Sequence, residues 1–324
     1  MRVLVTGGAG YIGSAIVEEL VAQGHDPVVY DSLIKGHAAA LPQGVPLVRG
    51  DVRDGDNVRQ TLLDHACEAV IHMAGLIEVE GSVRHPEQYF DVNVGGGIAV
   101  LNAMIATGVK RLVFSSTAAI YGDPEHLPIP EDAPAQPTNP YGETKFLFER
   151  MLRWTAPAAG LTCTALRYFN AAGATERNGE RHDPETHLIP LVLKAAAEDR
   201  SINVFGTDYP TADGTTIRDY VHVIDLAQAH LLALHRDEPG LRIYNLGNGG
   251  GQSVRQVIEA ARAVTGKSLP TVDLPRRAGD QIATVASADR IRSELGWTPR
   301  HNDLQDIVGS AWRWQQAHPA GYQS

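Results

Sequence analysis

Short apolar runs alternate with helix-length amphipathic stretches through the first half of the chain. The runs are RVLVTG (2–7), PVVYD (27–31), PLVRGD (46–51), AVIHMAG (69–75), RLVFSS (111–116) and LTCTALRYFN (161–170). Between them, stretches such as GSAIVEELVAQG (13–24) and NVGGGIAVLNAMIATG (93–108) carry apolar residues at helical spacing. Runs that are apolar throughout suit strands buried on both faces, and their alternation with helices predicts an α/β fold built on a doubly wound parallel sheet. Past residue 171 the rhythm changes. AAGATERNGERHDPETH (171–187) is polar, aperiodic and rich in turn formers. We therefore expect a first domain over 1–172 and a smaller mixed α/β domain over 173–324, with some segments of the second crossing back. Helices are expected there at 188–199, 225–236, 253–265 and 302–317, with short strands at INVFG (202–206) and LRIYNLG (241–247).

The first run leads into VLVTGGAGYIG, which places Gly7, Gly10 and Gly13 where a strand turns into a helix. Such a turn is tight, and its backbone must approach a pyrophosphate closely. The helix beginning near Tyr11 directs free N–H groups and the positive end of its dipole at that phosphate. Asp31 ends the second run. A carboxylate there can accept hydrogen bonds from ribose hydroxyls and repels a 2′-phosphate, which favours NAD over NADP. Asp51 ends the third run, where a carboxylate can reach an adenine amine or simply cap a solvated turn. These features make the first domain a Rossmann domain.

Composition narrows the partners. A net charge of −10 argues against nucleic acid or an anionic membrane as the main partner. Cys67 and Cys163 are the only cysteines, so no disulfide framework is expected and a reducing cytoplasm is the default. The start MRVLVTGGAG lacks the apolar core of a signal peptide, and no run of 18 apolar residues occurs. The 13 histidines show neither H-x-x-x-H nor H-E-x-x-H spacing, so no metal site is expected.

Residues 122–140 carry Pro124, Pro128, Pro130, Pro134, Pro137 and Pro140, which makes this a long extended connection. Pro140 suits the first turn of a helix, and YGETKFLFERMLRW continues it. Tyr141 and Lys145 then share one face near the helix start. With ten tyrosines in the chain, that spacing could also arise on ordinary helix surface. The surroundings decide: RLVFSSTAAIYG ends in Ser115, Ser116 and Thr117 at the carboxyl edge of the sheet, where ligands of such folds bind.

Together, TGGAGYIG, SST and PYGETK resemble the extended short-chain dehydrogenase/reductases. In that family a Ser or Thr, a Tyr and a Lys act beside a nicotinamide. The resemblance implies that Tyr141 is the base, that Lys145 and the nicotinamide charge favour its phenolate, and that Thr117 holds the reacting sugar oxygen, with Ser116 as the alternative. Dehydratases of the family carry an Asp-Glu pair after the strand-end Thr. Here Ala118 and Ala119 stand there, which disfavours elimination.

FGTDYPTADGTTIRDYVHVIDLA (205–227), LRYFNAAGA (166–174), HLIP (187–190) and RRAGD (276–280) resemble, in order and spacing, the UDP-galactose (UDP-glucose) 4-epimerase branch. This implies that Asn170, Leu188, Asn203 and Phe205 contact the uracil, ribose or sugar of a UDP-sugar. It also implies that Arg218 and Arg277 grip the diphosphate and Asp280 the uridine ribose. On the cofactor side it implies contacts from Ile12, Ser32, Val52, Met73, Ala74, Gly75, Asn93, Ser115 and Phe169. The implied reaction oxidises the sugar at C4 to a transient 4-keto sugar and reduces it from the other face. Competing expectations are a 4-epimerase of UDP-uronates or pentoses, and a non-catalytic NAD or nucleotide-sugar binder. Many relatives have a lysine where this chain has Ile77, which predicts a weaker hold on NAD. VEGS (79–82) departs from the relatives' order at Ser82, and Thr284 stands where residue size sets the room for a 2-acetamido group. A homodimer through helices around 88–107 and 141–156 is expected, with Leu101, Met104, Phe146 and Leu147 as apolar candidates that equally suit packing on the chain's own sheet.

Overall fold

The structure, a computed structural model, describes residues 1–277 and 279–322. The six runs of the first half become β1 (Arg2–Thr6), β2 (Asp26–Asp31), β3 (Leu47–Arg49), β4 (Ala69–His72), β5 (Arg111–Thr117) and β6 (Thr162–Tyr168). Between them lie α1 (Tyr11–Ala22), α2 (Gly55–Asp64), α3 (Val79–Arg84), α4 (Pro86–Tyr89), α5 (Gly96–Thr107) and α6 (Pro140–Ala159). A π-helical turn, Phe90–Gly95, joins α4 to α5, so the helical run begins at Pro86 rather than at 93. Its apolar length reaches membrane-spanning dimensions, but Val100, Leu101, Ala103 and Met104 are buried in the core beneath the sheet. Leu101 and Met104, expected as dimer candidates, thus pack on their own chain. Ile98 and Ile105 are the large apolar residues that α5 leaves exposed.

The second half supplies β7 (Asn170–Ala172), α7 (Leu188–Ala197), β8 (Ile202–Phe205), β9 (Ile217–Arg218), β10 (Tyr220–His222) and α8 (Val223–Leu234). There follow β11 (Gly240–Leu246), β12 (Gln252–Ser253), α9 (Val254–Thr265), β13 (Thr271–Leu274), β14 (Ala283–Thr284), α10 (Asp289–Leu295) and α11 (Leu304–Ala317). The main sheet has seven strands in the order β11-β6-β5-β4-β1-β2-β3, every pairing parallel. The order reverses between β1 and β4, and in such sheets the crevice beyond the strand ends at that reversal is where ligands bind. β11 lies in register with β6 from Gly240–Thr162 to Leu246–Tyr168, and α8 packs on α1. Residues 223–246 therefore belong to the sheet layer, although they follow the boundary drawn at 172.

Alternation along each strand divides the core in two. Val3 and Val5 face Ile16, Leu20, Leu226 and Trp297 on one side of the sheet, whereas Leu4 faces Val100, Phe148 and Leu152 on the other. A third cluster, from α7, α9 and α11 around Val192, Ile258 and Val308, makes the smaller unit. Residues 122–139 hold no helix or strand beyond one bridge, Ile129 to Ala286, which pins this connection to the second half.

Candidate active site

One cavity of about 640 Å³ runs from the β1–α1 turn to the start of α6 and on to the start of α7. At one end α1 is preceded by Gly10, whose position provides no side-chain cap, so the first N–H groups of the helix stay available to an anion. Gly13 must lack a side chain: a Cβ there would lie 2.2 Å from the Gly7 carbonyl oxygen. The Asp31 carboxylate is buried and already held, accepting from Ala9 N–H at 3.0 Å and Leu33 N–H at 2.8 Å. Each oxygen keeps a lone pair for ribose hydroxyls. Asp51 lines the cavity too, but its carboxylate pairs with Arg53, which also reaches Asp91. Gly7, Gly10, Tyr11, Ile12, Ser32, Val52, Met73, Ala74, Gly75, Ser115 and Phe169 all line the same cavity. Asn93 stands behind it. Its Oδ1 accepts from Leu76 N–H, while its amide donates to the Leu76 carbonyl and Thr144, so it shapes the turn after β4 rather than facing the cavity.

At the other end, Asn139 caps α6 by accepting from Gly142 N–H at 2.9 Å, and Pro140 opens the first turn. This sets Tyr141 at the helix start on the cavity wall, with Lys145 one turn later. Gly142 lets the turn sit against residues 118–121, since a Cβ there would meet the Ala119 carbonyl oxygen at 2.6 Å. Nothing in the sequence pattern marked that requirement. The Lys145 ammonium is buried, donates to the Ser115 carbonyl at 2.9 Å, and stands 5.0 Å from the centre of the Phe114 ring. Burial pushes it down to about 8.

Burial raises the Tyr141 phenol, and the hydrogen bond from Thr117 opposes this only in part. Burial thus favours the neutral phenol, while positive charge from Lys145 one turn away and from a bound nicotinamide would favour the phenolate. Ser116 and Thr117 both line the cavity, but Ser116 gives its proton to Glu149 at 2.6 Å, whereas Thr117 lies close enough to Tyr141 to favour its phenolate. Glu149 in turn forms a buried pair with Arg167, whose guanidinium also donates to Tyr121 and to the Glu131 carbonyl. Sequence reasoning missed that pair; the signal was two charges at positions where the helix and strand periods call for core residues.

Asn170, Leu188, Arg218 and Thr284 line the far part of the cavity. Arg218 is half-buried, and desolvation lowers its pKa, with the charge of Asp280 opposing that shift. Asp219 beside it is structural, accepting from the N–H groups of Asn248, Gly249 and Ala286. Asn203, Phe205, Arg277 and Asp280 lie outside the cavity lining. Asn203 and Phe205 share the face of β8 opposite the buried Val204; Asn203 is exposed, and the Arg277 guanidinium stacks 3.7 Å from the Phe205 ring centre. Ile77 lines the cavity and is exposed, while Ser82 is buried and donates to the Val79 carbonyl.

No metal site was expected, yet Glu180, His182, Glu185 and His187 converge at the cavity edge. Burial works against protonation of both imidazoles, but the Glu180 and Glu185 carboxylates outweigh it, raising His182 to about 9 and His187 to about 10.

Residues 3–247 match the NAD dependent epimerase/dehydratase family. The chain belongs to that family. A UDP-glucose 4-epimerase of Streptomyces lividans is 50% identical over 325 residues, covering 99% of this chain and 98% of the relative. A crystal structure of a UDP-glucose 4-epimerase agrees with a TM-score of 0.97 at 44% identity, over 100% of both chains. The UDP-glucose 4-epimerase of Bifidobacterium longum, solved in complex with NAD+ and UDP, agrees with a TM-score of 0.94 at 38% identity, over 99% of this chain and 100% of that one. As a member of the epimerase/dehydratase family, the chain is NAD-dependent. The uncapped α1 start, the held Asp31 carboxylate and the open cavity between them fit a dinucleotide.

Proposed function

We infer that the protein catalyses NAD-dependent 4-epimerisation of a UDP-hexose, interconverting UDP-galactose and UDP-glucose. The observation that carries this is Tyr141 and Thr117 together on the wall of a cavity that begins at the glycine turn, with Lys145 one helical turn after Tyr141. Full-length relatives named UDP-glucose 4-epimerase, and the NAD+ and UDP of the Bifidobacterium longum structure, support it. Bound NAD supplies a hydride acceptor that is regenerated within each turnover. Tyr141 takes the proton of the sugar 4-hydroxyl and returns it when the opposite face is presented. Thr117 holds the reacting oxygen, and Lys145 supplies fixed positive charge behind the phenol. Arg218 and Arg277 secure the diphosphate, Asn170, Leu188, Asn203 and Phe205 contact the uracil, ribose or sugar, and Asp280 holds the uridine ribose. A firm grip on UDP with few fixed contacts to the sugar lets the 4-keto sugar turn over. Ala118 and Ala119 offer no second acid, so elimination has no catalyst.

Thr284 favours a second substrate class. It is small and lines the cavity, leaving room for a 2-acetamido group, so UDP-N-acetylhexosamines are accepted as well. Cys67 and Cys163 are buried and free, in keeping with a cytoplasmic protein, and a homodimer would pair the outer face of α5 around Ile98 and Ile105.

Proton NMR of the sugar anomeric region tests the reading. Purified protein incubated with UDP-galactose should bring UDP-glucose to a constant ratio. Turnover that needs added NAD would match the weaker hold expected from Ile77. NAD binding without conversion would overturn the substrate assignment in favour of uronates or pentoses. UDP-N-acetylgalactosamine left unchanged under the same conditions would remove the role given to Thr284.

A further inference from the structure

We propose that Glu180, His182, Glu185 and His187 form a divalent-cation site, suited to zinc, that fastens the segment before α7 at the edge of the cofactor cleft. All four donor atoms lie within 4.8 Å of one another. His187 Nδ1 stands 2.9 Å from Glu180 and 2.9 Å from Glu185, while His182 Nδ1 stands 3.4 Å and 3.7 Å from the same two carboxylates. A tetrahedron with zinc–ligand bonds of about 2.0–2.1 Å has edges of about 3.4 Å, so the four separations bracket what one ion needs. Two carboxylates balance a dication, and two imidazoles complete a nitrogen and oxygen donor set that zinc accepts.

The cluster also has the support that ligands require. Glu185 Oε1 accepts from the N–H groups of Thr186 and His187, each at 2.8 Å, which fixes its carboxylate. His182 Nδ1 is out of contact with solvent and faces the Glu180 and Glu185 carboxylates without an aligned hydrogen bond to either. The ring of His182 meets Tyr11 edge-on at 6.5 Å, and Tyr11 opens α1. His187 precedes Leu188 as the N-cap residue of α7, but its side chain makes no capping bond. An ion here would tie the start of the substrate-side helix to the segment packed on the phosphate-binding turn. Ordinary surface ion pairs would not need four donors converging from one short segment.

The test uses untagged protein, stripped with a chelator and titrated with zinc chloride in competition with a chromophoric chelator. One zinc per chain after gel filtration and a rise in the thermal midpoint are expected. Cobalt(II) in place of zinc should give the visible absorption of a four-coordinate site. His182→Ala and Glu185→Gln should each weaken zinc binding by at least about tenfold. Circular dichroism reports whether each variant is folded; if His182→Ala is not, Glu185→Gln decides. Absence of stoichiometric zinc, or affinity unchanged in the folded variants, would overturn the site.

Discussion

Tyr141 and Lys145 show how two side chains one turn apart can meet opposite demands. Both are set in a low-dielectric corner, which favours the neutral form of each. Tyr141→Phe keeps the ring and removes the exchangeable proton. We expect conversion of UDP-galactose, followed by NMR, to fall by about 10²–10⁴-fold, while UDP binding measured by calorimetry is retained. Equal loss of UDP binding would assign Tyr141 a structural role instead. Lys145 carries a stability cost. Its pKa falls from 10.5 to about 8 on folding, so the folded state disfavours its charge. Between those values the unfolded chain binds more protons and stability rises with pH; at and below pH 8 the whole penalty of about 3 kcal/mol applies. Lys145→Met gives up the bond to Ser115, worth about 1 kcal/mol, and so should gain about 2 kcal/mol at pH 7 while losing activity. The gain should vanish by about pH 10.5, which urea melts of both proteins at two pH values would reveal. A variant less stable than the parent at pH 7 would contradict this account.

At the scale of elements, α6 is held to β5 and β6 by charge as well as by packing. Glu149 on α6 and Arg167 on β6 are both almost fully buried, with Ser116 of β5 completing the carboxylate's partners. Glu149→Ala would strand the guanidinium without a counter-charge and should cost about 3–5 kcal/mol in denaturant melts. Replacing both residues together, Glu149→Leu with Arg167→Met, should recover most of that loss. If the double variant is as unstable as the single one, the pair is not what joins these elements. This pair also shows where the sequence was opaque. The glycine turn, Asp31 and the helix start at Pro140 were legible because each depends on near neighbours in the chain. The Glu149–Arg167 pair, the Thr117 orientation and the role of Asn93 depend on which way a side chain points across elements, which periodicity does not report. The Glu180–His187 cluster escaped for a related reason: it wraps through an irregular loop, where donor spacing follows no helical or strand period.

For the whole molecule, the seven-stranded sheet was legible in its first six strands and not in its seventh. LRIYNLG reads as a short strand, but nothing local says that it crosses back to pair with β6. The consequence is that residues 1–172 are not a complete folding unit. Expressed alone, that fragment would expose the edge of β6 and the face of α1 that α8 covers. It should bind a hydrophobic dye and aggregate, and a monomeric, cooperatively melting fragment would disprove this. The same feature bears on how the protein is made. A ribosome must add about 80 further residues after β6 before Leu246 exists, which at about 5–20 residues per second is a delay of roughly 4–16 seconds. Through that interval the nascent chain carries an unfinished sheet with its dinucleotide turn already synthesised, and a holding chaperone has its clearest opportunity there.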